Sequence, residues 1–211
     1  MRRIAVGIGG GSGTGKSTLA EKLIAREPDI FALIQLDDYF RKSDKVPTDD
    51  GRENRDHPEA LDFDTFAHDL AELKAGRSVV LMTKNHKFNP LYAETKTKIR
   101  IEMRPKPIIL AEGFLVFYDE RVRTLLDKSI WLEAPNELRW ERRVGRRERA
   151  TRDNEYHQKI IEPMYRQFVE PTRKYADRVL DVSSLNEEQV VKEMERWFRP
   201  YLISGEFKKI R

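Results

Sequence analysis

The chain has 211 residues and no cysteine, with 40 Lys and Arg against 36 Asp and Glu for a formal charge of +4. That length accommodates one well-buried core, and the missing cysteine excludes disulfides, thiolate metal sites and a Cys nucleophile. Apolar runs such as IAVGI and PIILA punctuate a composition of 39% hydrophobic and 36% charged residues, which excludes wholesale disorder, and no run approaches the roughly 18 residues that span a bilayer.

The expectation is therefore a single cytoplasmic domain over residues 1–211, with no membrane partner and no N-terminal apolar leader. Arg3–Ile8 reads as a first buried strand, followed directly by GGGSGTGKST, Gly9 to Thr18, and then a helical pattern over Lys16–Arg26 with Leu19, Leu23 and Ile24 on one face. The spacing G-x-x-x-x-G-K-[ST] is met by Gly10, Gly15, Lys16 and Ser17. Glycines let several backbone N–H groups turn inward on phosphate oxygens, a lysine neutralises the β/γ charge, and a serine hydroxyl can ligate Mg²⁺. Gly10, Gly11, Ser12, Gly13, Thr14, Gly15, Lys16, Ser17 and Thr18 are accordingly the expected phosphate site for a nucleoside triphosphate, with Mg²⁺ as cofactor.

Further strands are expected at Phe31–Leu36, Pro107–Ala111, Ser129–Leu132 and Arg178–Val182. A helix spans Asp64–Ala75 and stops at Gly76, Asp119 caps a helix through Leu126, and Ser184 with Glu187 forms a capping box for a last helix through Phe198. Strands alternating with helices predict an α/β fold: a five-stranded parallel sheet covered on both faces, its ligands at the C-terminal strand edge. Asp37 and Asp38 end the second strand in LIQLDDYF, and Glu112 ends the third in IILAEGF. Carboxylates there can hold Mg²⁺ or orient an attacking hydroxyl, although Asp at a strand end also serves simply as a turn cap.

Between these strands, Ser78–Met82 and the alternating KIRIEMR run, Lys98–Arg104, predict an inserted β-hairpin over about 77–105 with a long tip from Thr83 to Lys96. Glu137–Arg149 and Asn154–Ala176 read as helical arms. The first holds Arg139, Arg142, Arg143, Arg146, Arg147 and Arg149, and Arg152 follows it, so seven guanidiniums fall within fourteen residues. Glu137, Glu141 and Glu148 could leave most of them on a solvated face. With a phosphate loop in place, a lid over about 139–155 that carries charge to the γ-phosphoryl group is the leading reading for one or two of them. Trp140 is the sole interleaved aromatic and no nucleic-acid module is present, so nucleic acid is not an expected partner.

In order along the chain, GGGSGTGKST, LDDYF, DHPEALDFD, the hairpin, AEGFLVFYDERVR, RRVGRR and FVEPTRKYAD resemble the uridine kinase and phosphoribulokinase group of P-loop kinases over nearly the whole length. The resemblance implies transfer of phosphate from ATP to the 5′-hydroxyl of a pyrimidine ribonucleoside, and an oligomeric enzyme. It assigns Asp37 to the hydroxyl, as the catalytic carboxylate beside Lys16. It further assigns Asp56 to the ribose, Ser17 and Glu112 to the metal, and Arg143, Arg146 and Arg152 to the lid. The sequence departs from that pattern in DDYF, where Phe40 follows Tyr39, at Arg55, and in MTKNHKFNPLY, where Lys84 takes a tyrosine position and Asn89 a histidine position. Tyr39, Phe40, His86 and Arg143 complete the expected acceptor contacts. DDYF, EGFLVF and EPMY are also similar to nicotinamide riboside kinase, which lacks the long hairpin; a nicotinamide riboside kinase-like or other small-metabolite kinase is the alternative, with a nucleotide-binding regulatory or nucleic-acid-associated protein behind it.

Overall fold

The structure is a computed structural model that describes residues 3–49, 51–145 and 154–203. Strand β1 (Ile4–Gly9) leads into helix α1 (Lys16–Arg26), and β2 (Phe31–Gln35) ends in a 3₁₀ turn over Leu36–Tyr39. Two residue pairs, β3 (Thr48–Asp49) and β4 (Arg52–Glu53), form a small antiparallel ribbon before α2 (Phe63–Ala75). Strands β5 (Val79–Thr83) and β6 (Ile99–Met103) flank the short helix α3 (Tyr92–Thr95). After them come β7 (Ile108–Glu112), α4 (Glu120–Leu125), β8 (Lys128–Glu133), α5 (Asn136–Gly145), α6 (Asn154–Tyr156), α7 (Glu162–Met164), β9 (Arg178–Asp181) and α8 (Glu187–Ile203).

Strands β2-β7-β1-β8-β9 make one parallel sheet. Apolar side chains cover both faces: Leu19, Leu23, Val191 and Met194 of α1 and α8 pack on one, and Phe66, Leu70 and Leu73 of α2 with Val122 of α4 on the other. This two-sided burial explains why β2 and β7 read as unbroken apolar runs rather than alternating ones. The predicted hairpin is present, with β5 and β6 antiparallel and paired from Val79↔Met103 to Thr83↔Ile99.

One local expectation is corrected, and two are refined. The cap of α8 is a reciprocal pair between Asn186 and Gln189, each side chain accepting from the other's backbone N–H at 2.9 Å, not Ser184 with Glu187. The arm beginning at Asn154 is helical but not uniformly α: π-helical turns cover His157–Ile161 and Tyr165–Val169, and Glu170–Tyr175 is 3₁₀. Pro163 and Pro171 lack the N–H that an α-helix needs and crowd the carbonyl four residues back, so wider turns ahead of them relieve the conflict. The long hairpin tip carries α3, closed by Lys96 at φ 54°.

Candidate active site

The loop between β1 and α1 is shaped by close backbone approach. Gly10 has φ 138°, and a Cβ there would lie 2.4 Å from the Leu132 carbonyl oxygen. Gly13 has φ 92°, and its Cβ would lie 2.4 Å from the Arg139 carbonyl oxygen. The first residues of α5 therefore rest directly on the loop. Thr14 Oγ1 and Lys16 Nζ both donate to the Gly11 carbonyl, at 2.9 and 3.0 Å, and Lys16 is 6% exposed.

Register brings the carboxylates to this loop. Glu112 pairs with Ile8 of β1 on one side and Gln35 of β2 on the other, so it ends β7 at the centre of the sheet edge. It is 3% exposed, and its Oε2 accepts from Ser17 Oγ at 3.2 Å and from Gln35 Nε2 at 2.8 Å. Burial pushes its carboxyl above the usual range, while Lys16 and these two donors pull it back. Ser17 and Glu112 are hard oxygen donors beside the lysine, a set that suits Mg²⁺, whose remaining ligands would come from phosphate and water. Among the described residues no group of three or more His, Cys, Asp or Glu could hold a metal without such help.

One cavity of about 510 Å³ joins the loop to the acceptor side. Ser12, Gly13, Gly15, Lys16, Ser17, Glu21, Gln35 and Glu112 line one wall, and Asp37, Phe40, Arg55, Asp56, Lys84, Asn85, Tyr92, Phe114, Arg143 and Tyr156 line the rest. Burial raises the Asp56 carboxyl, the guanidinium of Arg143 lowers it, and Asp37 raises it again, leaving it above the ordinary carboxylate value. Lys84 Nζ lies 3.5 Å from Asp37 Oδ2 and 5.3 Å from the centroid of the Phe40 ring. Burial lowers the Lys84 ammonium, but Asp37, Tyr92 and Asp38 outweigh it, so the group is held charged. Asp38 does not line the cavity. Its carboxylate accepts from the Lys84 backbone N–H at 2.9 Å and its carbonyl from Lys98 Nζ at 2.7 Å, which fastens the hairpin to the turn that carries Asp37.

Two residues expected to contact the acceptor lie outside this cavity. Tyr39 is turned into the core, 8% exposed, with its hydroxyl donating to Asp69 Oδ2 at 2.8 Å and its ring edge-on to Phe66. The 3₁₀ turn places Asp37 and Phe40 toward the cavity and the residues between them elsewhere. His86 is exposed at the hairpin tip and does not line the cavity. Arg146 and Arg152 lie outside the described residues, as do Arg147 and Arg149.

The described arginines of α5 point inward rather than forming a solvated face. Arg139 is 5% exposed, sits 3.8 Å over the Tyr165 ring and pairs with Glu162 at 3.6 Å, and Arg142 donates to the Val182 carbonyl at 3.4 Å. Arg142 also lines a second cavity, of about 410 Å³, on the far side of the loop with Thr14, Thr18, Lys22, Val182 and Asn186. Sequence reasoning passed over Gln35, Asn85, Tyr92, Phe114 and Tyr156. Only Gln35 carried a legible signal, as a polar residue inside the apolar run FALIQL.

A parallel sheet with a phosphate loop after its first strand, and carboxylates from two further strand ends beside it, defines a P-loop kinase fold and site. The chain belongs to the phosphoribulokinase / uridine kinase family, whose model matches residues 5–189. It is 34% identical over 193 residues to a uridine kinase of Clostridium novyi, covering 88% of this chain and 90% of that one. To a uridine kinase of Streptococcus equi subsp. zooepidemicus it is 33% identical over 184 residues, covering 84% and 86%. Among solved structures, one described as a possible uridine kinase from Bacillus stearothermophilus matches with TM-score 0.57 and 25% identity over 86% of this chain and 90% of that one. A shikimate kinase from Acinetobacter baumannii, at TM-score 0.51 and 14% identity over 97% and 95%, shares the fold.

Proposed function

We propose that this protein transfers the γ-phosphoryl group of ATP to the 5′-hydroxyl of a pyrimidine ribonucleoside, uridine or cytidine. The observation that carries the reading is the single cavity in which Lys16, Ser17 and Glu112 face Asp37 and Asp56. The uridine kinase relatives, which match across most of the chain, support the acceptor class.

In this reading the loop amides and Lys16 hold the β- and γ-phosphates, and the second cavity takes the nucleoside end of ATP. Asp56 accepts hydrogen bonds from the ribose hydroxyls, and Asp37 accepts from the 5′-hydroxyl. A bond forms from O5′ to the γ-phosphorus as the bond from that phosphorus to the β,γ-bridging oxygen breaks. The hydroxyl proton passes to Asp37, and ADP leaves. Ser17 and Glu112 would hold Mg²⁺, which when bound neutralises phosphate charge. Arg143 reaches the same cavity and adds positive charge, and Arg146 and Arg152 are proposed to join it when the lid closes. Catalysis here is positioning plus electrostatics, which suits a site built from fixed strand ends. A cytoplasmic location suits a cysteine-free enzyme that draws on ATP.

Coupled ADP-release assays across uridine, cytidine, the purine nucleosides, nicotinamide riboside, pantothenate and ribulose 5-phosphate test the reading. Turnover dependent on uridine or cytidine is expected, and its absence with every ribonucleoside would overturn it. A second reading rests on Lys84 and Arg55, which both lie over the Phe40 ring, at 5.3 and 5.7 Å. Two cations there disfavour a positively charged pyridinium and favour an acceptor with an electron-rich or anionic edge. In the same panel, turnover with pantothenate or ribulose 5-phosphate above that with uridine would select it.

A further inference from the structure

Glu112 is held by more than the phosphate loop. Gln35 Nε2 donates to its Oε2 at 2.8 Å, and Gln35 Oε1 accepts from Asn85 Nδ2 at 2.5 Å. The same Asn85 nitrogen donates to Glu21 Oε1 at 2.9 Å, one turn beyond Ser17 on α1. Asn85 Oδ1 is also engaged, accepting from the Lys87 backbone N–H at 2.8 Å. Gln35 and Asn85 are 8% and 7% exposed, so water does not substitute freely for these bonds.

The chemistry of the two amides gives the chain of bonds a direction. A carboxylate accepts only, so the group facing Glu112 must be the Gln35 NH₂. That forces the Gln35 oxygen toward Asn85, which must then present its own NH₂, and this second NH₂ uses its other hydrogen on Glu21. Reversing either amide would set oxygen against oxygen in a buried place. The orientation of Glu112 is therefore specified from the hairpin tip, through Gln35, as well as from Ser17. Asn85 follows Lys84, whose ammonium pairs with Asp37 at 3.5 Å and whose backbone N–H is held by Asp38. Two adjacent tip residues thus act on the two ends of the cavity: Lys84 directly on the acceptor-side carboxylate, Asn85 through Gln35 on the metal-side carboxylate.

We infer that Gln35 and Asn85 are positioning residues for Glu112, and that through them the acceptor hairpin is coupled to Mg²⁺-dependent nucleotide binding. Neither side chain need touch the metal. Hydrogen-bond partners of metal ligands commonly hold about 10- to 100-fold of metal affinity, because they fix the ligand's orientation. Coupling of this kind is reciprocal, so the hairpin's placement and the metal's affinity are linked in both directions. The inference rests on the ATP and Mg²⁺ part of the proposed function and is independent of which acceptor is phosphorylated.

The test is calorimetric binding of the β,γ-imido analogue of ATP to the full chain, with Mg²⁺ and in EDTA, without any acceptor. Gln35→Met, which keeps shape and removes the donor, should weaken the Mg²⁺-dependent affinity by roughly tenfold while the affinity in EDTA moves by less than about twofold. Asn85→Ala should act in the same direction, although its side chain lies one residue further from the metal. Since Asn85 acts through Gln35, the double variant should be no weaker than Gln35→Met alone. If Asn85→Ala melts at room temperature, Asn85→Leu keeps the volume and carries the same expectation. Unchanged Mg²⁺ dependence in the Asn85 variants, or two losses that simply multiply, would overturn the relay. Failure of the acceptor panel would overturn the nucleoside reading and leave this result standing.

Discussion

Neighbouring residues in the LDDYF turn have opposite duties. Asp37 faces the cavity, and Asp37→Asn is expected to lower kcat by about 10²- to 10⁴-fold, the usual range for a lost general base, with the ATP analogue still bound. Intact turnover in that variant would remove Asp37 from the reaction. Tyr39 instead closes a buried hydrogen bond to Asp69. Tyr39→Phe leaves that carboxylate without its donor and should cost about 1–3 kcal/mol of stability by urea titration, with kcat near wild type. Asp56 supplies a pH test. Its folded value is raised above the usual 3.8, so between that value and its raised folded value the native state binds more protons than the unfolded one. Stability contributed by this group therefore falls as pH rises through that window. Asp56→Asn should melt higher relative to wild type at neutral pH than below pH about 4, where both carry a neutral side chain. A pH-independent difference would contradict the assignment. Strand ends and glycine spacing are local, so Asp37, Glu112 and the loop were legible as candidates from pattern, whereas Asp56 entered only through the family resemblance. The sequence could not tell Tyr39 from Phe40, since which side of a 3₁₀ turn faces the core depends on what packs there.

At the scale of elements, the hairpin β5–β6 is an insertion that becomes part of the site only because its tip is tied down. Asp38 holds the Lys84 backbone N–H, and Lys98 returns to the Asp38 carbonyl. Asp38→Ala removes the first tie. It is expected to raise the acceptor KM roughly tenfold, the equivalent of one lost hydrogen bond to a charged group, while the KM for ATP stays within about twofold. Equal effects on both KM values would mean the turn itself had collapsed. Helix α5 follows the same logic from the other side. Its arginines read as a charged surface in sequence, yet Arg139 lies under Tyr165 and against the loop. The alternation of β5 and β6 was legible as a period of two. The docking of their tip was not, since Asn85, Gln35 and Glu21 are far apart in sequence and no local pattern links them.

Across the whole molecule, the cavity walls come from α1, the turn after β2, the segment before α2, the hairpin tip, β7, α5 and α6, which meet at the C-terminal edge of one sheet. Ligands that bind this edge should stabilise the entire fold, since β1, β2 and β7 are also its core. With Mg²⁺ and the ATP analogue at about 100 times its Kd, mass action gives about 2.7 kcal/mol, or a melting shift of roughly 5–10 °C for a chain of this size. No shift with Mg²⁺ and the analogue at that excess would count against nucleotide binding by the loop. Sequence alone determined the parallel α/β class, the phosphate loop, the strand-end carboxylates and the inserted hairpin, all of which are written in spacings within a few tens of residues. Tertiary structure alone decided that Gln35 and Glu112 stand side by side, that Lys84 reaches Asp37, and that Tyr39 and His86 are outside the cavity. Those facts depend on strand order and on how an insertion folds back, and a buried polar group takes its meaning from partners that only the folded chain supplies.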